Sequence, residues 1–306
     1  MHCLKPLKIL LFGKNAQLGW ELQRSLAPLG ELIALGKHDQ QFCGNFNDLQ
    51  GIAQTIRKLA PDIIVNAAAY TAVDKAESEP ELAHSINGLA PGILAKEAEL
   101  IGAWLVHYST DYVFNGCGNR PWVETDLTAP LSVYGQTKLD GEQAIRATGC
   151  NHLIFRTSWV YGAHGSNFPL TILKLAQERD QLNVINDQVG APTGADLLAD
   201  VTAHSIRTAL KNTTVSGSYH LVAAGETSWF EYANFVIEFA RKAGIKIKVT
   251  PEMILPVPSC DFYAAAKRPL NSRLNTDKIQ QKFGLHLPHW QAGVTRMMTE
   301  ILEKSQ

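Results

Sequence analysis

The sequence predicts an α/β fold built on a doubly wound parallel sheet. Two observations carry that prediction. Short continuous apolar runs alternate with helical stretches through the first half, and the first run empties into a glycine-rich turn. Alternation of this kind implies βαβ crossovers, which cover each strand on both faces and so favour unbroken apolar runs. Lys8–Phe12 is the first strand, ended by Gly13. A helix follows from Gln17 to about Leu26, then a second strand at Leu32–Leu35. Asp48–Lys58 reads as a helix with Ile52, Ile56 and Leu59 on one face and Pro61 past its end. Ile63–Asn66 is a third strand, and Leu89–Leu100 lies in a helix. Trp104–Ser109 is a fourth strand, Leu139–Ala147 a helix and Leu153–Thr157 a fifth strand.

The second half is less regular. Ala195–Leu210 and Phe230–Ala243 read as amphipathic helices, the latter with a capping box of Ser228 and Glu231 and a stop at Gly244. Pro251, Pro256, Pro258 and Pro269 make residues 251–272 loop-rich. The expected organisation is a first lobe over 1–160, with a later contribution from about 186–215, and a smaller, mixed lobe over 161–306. The chain has 306 residues, 45% hydrophobic, with 28 basic against 29 acidic side chains. That near-neutral balance gives no general electrostatic reason to bind nucleic acid or an anionic membrane. No segment nears the ~18 uninterrupted apolar residues of a spanning helix. Met1 to Lys8 offers no signal-peptide core, and the scattered cysteines (Cys3, Cys43, Cys117, Cys150, Cys260) read as reduced thiols, so a cytoplasmic protein is expected.

The first turn, Gly13-Lys14-Asn15-Ala16-Gln17-Leu18-Gly19, has the form of a Rossmann-type dinucleotide fingerprint, with Ala16 where a middle glycine is usual. Alone it fits either a bare strand-to-helix connection or a phosphate site; its place after the first strand of a βαβ series favours the latter. At the end of the second strand, where a carboxylate would hold the ribose of NAD, stands Gly36, followed by Lys37 and His38. A lost carboxylate and a nearby cation suit a 2′-phosphate, although Lys37 also reads as a solvated turn residue. The sequence thus points to NADPH, with NADH as an alternative.

Tyr134 and Lys138, four apart, share one face of a helix. A lysine cation beside a phenol favours the phenolate, and a phenol so tuned can protonate a carbonyl oxygen while a cofactor delivers hydride to the carbon. The strand that precedes them ends in His107-Tyr108-Ser109-Thr110-Asp111, which places hydroxyls where doubly wound folds bind ligands. The third strand ends in Asn66-Ala67-Ala68-Ala69-Tyr70-Thr71, small residues against which a dinucleotide can lie. Together these segments indicate nicotinamide-dependent carbonyl chemistry.

These features resemble the extended short-chain dehydrogenase/reductase superfamily and, more narrowly, the dTDP-4-dehydrorhamnose reductase family along the whole chain. The stretches that carry the resemblance are Asn66–Pro80, His107–Phe114, Val133–Lys138, Phe155–Tyr161, Val184–Gly194, Arg268–Thr276 and Leu287–Glu300. The resemblance implies that Tyr134 donates a proton to a 4-keto oxygen, with Lys138 and Thr110 completing the catalytic set. It implies that Thr110, Asp111 and Trp159 line the deoxysugar of a dTDP-sugar. It assigns cofactor contacts to Ala16, Gln17, Leu18, Asn45, Phe46, Ala69, Tyr70, Thr71 and Tyr108, besides Tyr134 and Lys138, and the fingerprint and strand-end readings above add Gly13, Gly19, Gly36 and Lys37; Asn45 stands where an aspartate is expected. It further implies a homodimer joined by a structural Mg²⁺ at Glu21, Asp196 and Glu300, although each of these acids alone reads as a solvated helix residue. Reduction of a related nucleotide sugar to a talose-type product, or a cofactor-sensing regulatory subunit without turnover, are the alternatives. Retention of Thr110, Tyr134, Lys138 and Trp159 together argues against the regulatory one. The histidines lack ligand spacing, Cys150 has no evident base partner, and Arg268, Asn271 and Arg273 are candidates to meet a diphosphate.

Overall fold

The structure, a computed structural model, describes residues 6–303; residues 1–5, with Cys3, and 304–306 lie outside it. Its centre is a six-stranded sheet of β1 (Leu7–Phe12), β2 (Gly30–Leu35), β3 (Ile63–Asn66), β4 (Trp104–Thr110), β5 (His152–Thr157) and β6 (Gly217–His220). The order is β6-β5-β4-β3-β1-β2 and every pairing is parallel. The chain leaves β1 for β2 on one side and then crosses to β3 on the other, so the crevice at the carboxyl ends of β1 and β3 is the topological switch point.

The apolar runs form strands because both faces are covered. Ile9 and Leu11 pack into one cluster with Leu22 and Leu26 of α1 (Gln17–Leu26) and Leu198 and Ala199, while Leu10 and Phe12 pack oppositely with Ile52 and Ile56 of α2 (Leu49–Leu59) and Leu94 of α3 (Ala90–Ile101). All four β1 side chains are fully buried, each contributing about 2 kcal/mol by leaving water. Asp48 caps α2 by accepting from the Gly51 N–H at 2.8 Å. A single π turn, Ser85–Leu89, precedes α3 and turns Asn87 inward, where its amide brackets Tyr70 through the Tyr70 N–H and carbonyl at 2.9 and 3.0 Å.

Around the central sheet, α4 (Val133–Ala147) and β6 differ from the sequence expectation. The helix begins six residues before Leu139, because Ser132 caps it by accepting from the Gly135 N–H and its first turn is polar rather than apolar-periodic. β6 was not foreseen; its Gly-Ser-Tyr-His sequence lacks an apolar run, yet it closes the sheet beside β5. Beyond the sheet come α5 (Phe168–Glu178), α6 (Ala195–Ala209), α7 (Trp229–Lys242) and α8 (Trp290–Glu303). α6 lies on α1, whereas α5, α7 and α8 share a separate core of Leu173, Tyr232, Val236, Trp290 and Met298. The expected capping box of α7 is present, with Ser228 and Glu231 bonded reciprocally. Among the described residues no helix is long and apolar enough to cross a membrane.

Candidate active site

β1 delivers the chain into Gly13, whose φ of +88° favours glycine and whose added Cβ would fall 2.6 Å from the Ala68 nitrogen. Gly19 is equally constrained, since a Cβ there would overlap the Gly13 carbonyl oxygen. Ala16 is the N-cap of α1 and caps nothing with its side chain, so the first-turn N–H groups of a ten-residue helix remain aimed at the crevice. Backbone donors, a helix dipole and no side chain in the way suit a pyrophosphate. Leu18 packs in the core, and Gln17 ties α1 to the loop before α5 through the Ser166 carbonyl and the Asn167 amide. These residues fit a dinucleotide.

The end of β2 departs from the sequence reading. Gly36 carries no carboxylate, but Asp39 folds back onto it. Its Oδ2 accepts from the Gly36 N–H at 2.5 Å and its Oδ1 from Lys14 Nζ at 2.7 Å. The Lys14 hydrogen bond, then the Gly36 N–H, hold the Asp39 carboxyl below its ordinary value. Lys37 is exposed beside it. Asn45 Oδ1 accepts from the Asn47 N–H, and Phe46 is buried edge-to-face on Phe12 in the core. Ala69 and Thr71 are exposed at the rim of the crevice, and Tyr70 sends its hydroxyl to Glu79 Oε2 at 2.7 Å.

β4 and α4 bring the catalytic candidates together. Thr110 ends β4, and its hydroxyl donates to Asp111 Oδ1 at 3.0 Å and accepts from the Tyr112 N–H at 3.2 Å. Tyr134, in the first turn of α4, packs edge-to-face on Tyr112 at 5.5 Å, with Thr110 near enough to act on its phenol. Lys138, one turn on, is buried and donates to the Tyr108 carbonyl at 2.5 Å. The expected lowering of the Tyr134 phenol does not occur: burial pushes it up to about 12, the Asp111 charge adds to that, and Thr110 opposes it. Burial also holds Lys138 down to about 8, against the pull of Glu142.

Lys138 has a further neighbour on β4. His107 Nε2 lies 3.3 Å from Lys138 Nζ, and His107 Nδ1 lies 3.0 Å from Asn66 Nδ2. The Ala68 N–H, bonded to Asn66 Oδ1 at 3.1 Å, fixes the Asn66 amide so that Nδ2 faces the ring. Burial, then the Lys138 charge, keep the ring neutral, and its two nitrogens face the Asn66 amide and Lys138. The Tyr108 phenol points to the other side of the sheet and pairs with Thr202 at 2.7 Å; Tyr108 reaches the site only through its carbonyl.

A cleft of about 720 Å³ opens beside this set, and the residue that joins it to Tyr134 is Tyr112. Asp74, Gln188, Trp229 and Arg268 are among its walls. Of the three candidates for a diphosphate, Arg268 alone lines it, paired to Asp74 at 2.6 Å; Arg273 pairs with Glu226, and Asn271 donates to the Arg120 carbonyl. Trp159 has φ of +49° and lies flat on Trp229, with centroids 3.6 Å apart. A Cβ on Gly190 would come 2.8 Å from Trp159, so that glycine makes room for the indole. Trp229, anchored by Gln188 at 3.1 Å, is a wall residue that the sequence did not single out.

The acidic residues expected to bind a metal do not form a ligand set in one chain. Glu21 lies by Arg24 at 3.4 Å and Asp196 by Arg296 at 2.9 Å, while Glu300 lies one turn beyond Arg296 on α8. Among the described residues no three His, Cys, Asp or Glu side chains converge on a metal position.

The comparisons with known proteins agree with this geometry. The family model described as RmlD substrate binding domain matches residues 7–303. The chain is 59% identical to the dTDP-4-dehydrorhamnose reductase of Escherichia coli (strain K12), over 96% of this chain and 98% of that one. It is likewise 59% identical to the reductase of the same name from Salmonella typhimurium, with the same coverage. Among solved structures, the dTDP-4-dehydrorhamnose reductase from Bacillus anthracis in complex with NADP superimposes with a TM-score of 0.84 at 33% identity, covering 97% of this chain and 100% of that one. With a fingerprint turn at the switch point, a Thr–Tyr–Lys set on β4 and α4 and likeness over nearly its whole length, this chain belongs to the dTDP-4-dehydrorhamnose reductase family.

Proposed function

We propose that the chain reduces the C4 ketone of dTDP-4-dehydro-6-deoxy-L-mannose to dTDP-L-rhamnose. The observation that carries this reading is the convergence of Thr110 at the end of β4 with Tyr134 and buried Lys138 on α4, next to a cleft of about 720 Å³ that Tyr112 links to Tyr134. A reduced nicotinamide cofactor, NADPH or NADH, supplies the hydride when bound, and the strand-end residues set the balance between the two.

The remaining steps belong to the protein. Thr110 and Tyr134 together hold the ketone oxygen. Tyr134 reaches the reaction protonated, since its phenol keeps its proton throughout the neutral range. As negative charge grows on the ketone oxygen, that oxygen becomes the stronger base and takes the phenolic proton. Lys138, below pH about 8, is the cation that compensates the phenolate left behind. Asp111 steadies Thr110, and Trp159 with Trp229 offers an apolar wall for the deoxysugar. Arg268 is placed to meet a diphosphate. The two lobes in this reading are a cofactor half over 1–160, helped by 186–215, and a substrate half over 161–306. Supplying the dTDP-ketone and following cofactor oxidation, with the product assigned by NMR, tests the reading. A 6-deoxy-L-talose product, or no oxidation with authentic ketone present, would reject it.

The proposal includes a homodimer in the cytoplasm. Arg24 joins Glu21 to Asp200, and Asp196 and Arg296 continue that line of charge towards α8, a surface two copies can share. The acids fit Mg²⁺ only if a second chain supplies ligands, so no catalytic step passes through a metal. Sedimentation with and without a chelator separates the cases: a dimer that chelator splits supports the metal link, and a monomer in both rejects the assembly.

A further inference from the structure

We propose that Asp39 is the residue that selects the cofactor, and that it biases this chain towards NADH. The inference rests on the proposed nicotinamide-dependent reduction. Doubly wound dinucleotide folds discriminate the two cofactors at the end of the second strand, where a carboxylate accepts the ribose hydroxyls or a cation takes the 2′-phosphate. In this chain Gly36 follows the last strand residue, Leu35, and the space a side chain would fill is occupied by another residue's carboxylate. A Cβ on Gly36 would stand 3.4 Å from Asp39 Oδ2 and 3.0 Å from Asn15 Nδ2. The carboxylate arrives from three residues along the turn.

Its bonding shows what the position can hold. The Gly36 N–H and the Lys14 ammonium converge on one spot, and a carboxylate sits there, bonded at 2.5 and 2.7 Å. The donors join the fingerprint turn to the end of β2: Lys14 follows Gly13 directly, and the Gly13 and Lys14 N–H groups both bond to the carbonyl of Leu35, the residue before Gly36. Each oxygen of Asp39 uses one acceptor site on these donors and keeps another open, which suits a ribose 2′-OH as donor. A 2′-phosphate meets the opposite situation. It would place a dianion against the Asp39 carboxylate and compete with it for Lys14, so binding would require the 2.7 Å Lys14–Asp39 pair to open. Once open, Lys14 and the exposed Lys37 would both serve a phosphate. Asp39 and Lys14 are a selector in which the anion of the protein and the anion of the cofactor exclude one another.

Equilibrium binding of NADH and NADPH to the full chain, read by quenching of tryptophan fluorescence, tests this without turnover. The wild type is expected to bind NADH more tightly than NADPH. Asp39→Asn is expected to move the affinity ratio at least tenfold towards NADPH, with NADH weakened and NADPH strengthened, and Asp39→Glu to keep the NADH preference. Lys14→Met gives an independent arm: NADPH should weaken tenfold or more while NADH changes less than threefold. Thermal melting of each variant checks folding, and Lys14→Met decides the question if Asp39→Asn does not fold. A wild type that prefers NADPH, or a ratio unmoved in both variants, overturns the inference while leaving the proposed reduction intact. A wild type that binds neither cofactor overturns the proposed function itself, and the inference with it.

Discussion

Lys138 is the residue whose state is most sensitive to its surroundings. It is buried, with the Tyr108 carbonyl as acceptor at 2.5 Å and His107 Nε2 at 3.3 Å. Burial, opposed by the Glu142 charge, brings its amine down to about 8 from its ordinary value of 10.5. Two consequences have opposite signs. Activity in the reduction direction needs the ammonium, so kcat/KM should fall above pH about 8 by up to roughly tenfold per pH unit. Stability should rise over the same window, because between about 8 and 10.5 the unfolded chain holds a proton that the folded chain does not. A pH–rate profile flat to pH 10, or a melting temperature whose pH dependence is identical in Lys138→Met, would contradict this reading. Tyr134 and Lys138 were legible from their spacing taken together with the ends of the third and fourth strands. Their protonation was not, because a helical face says nothing of depth: the phenol goes up, not down, since burial and Asp111 outweigh Thr110. Asp39 escaped notice for a related reason. A turn residue beyond a strand end has no periodic mark, and only the folded turn puts its carboxylate on Gly36.

At the scale of elements, α4 and β5 are locked by a buried ion pair. Glu142 accepts from Arg156 through both oxygens, at 2.9 and 2.7 Å, and both side chains are almost wholly buried. Arg156 also stacks over Phe114 at 5.0 Å. Because α4 carries Tyr134 and Lys138 and β5 flanks β4, this pair fixes the helix beside the sheet edge that holds Thr110. Replacing Glu142 with Gln leaves Arg156 charged and under-compensated, which should cost about 3–5 kcal/mol in urea unfolding; a loss under about 1 kcal/mol would mean the pair is replaceable. Strands such as Ile63–Asn66 matched the sequence reading to the residue, since continuous apolar runs have no other use in a parallel sheet. The start of α4 and the whole of β6 did not show, because a helix turn devoted to chemistry and a four-residue strand with two polar members lack the apolar period.

Across the whole molecule, the sheet depends on chain from both halves. The face of β1, β4 and β5 that carries Ile9, Tyr108 and Phe155 is covered by Leu198, Val201 and Ile206 of α6 and by Tyr219 of β6. A fragment of residues 1–160 should therefore lack cooperative melting by circular dichroism, and a sharp transition in it would show that the cofactor half is self-sufficient. The same interleaving places the site: α1 supplies phosphate donors, β4 and α4 the hydroxyls and the amine, and the separate core around Tyr232 and Trp290 supports the Trp229–Trp159 wall. The claim that joins all of this is that Tyr134 is the acid of a ketone reduction. The most direct test measures Tyr134→Phe for turnover of the dTDP-ketone and for cofactor affinity side by side. A fall in kcat of roughly 10²–10⁴-fold with cofactor affinity within about twofold of wild type is the predicted result. Turnover close to wild type in that variant would contradict the account.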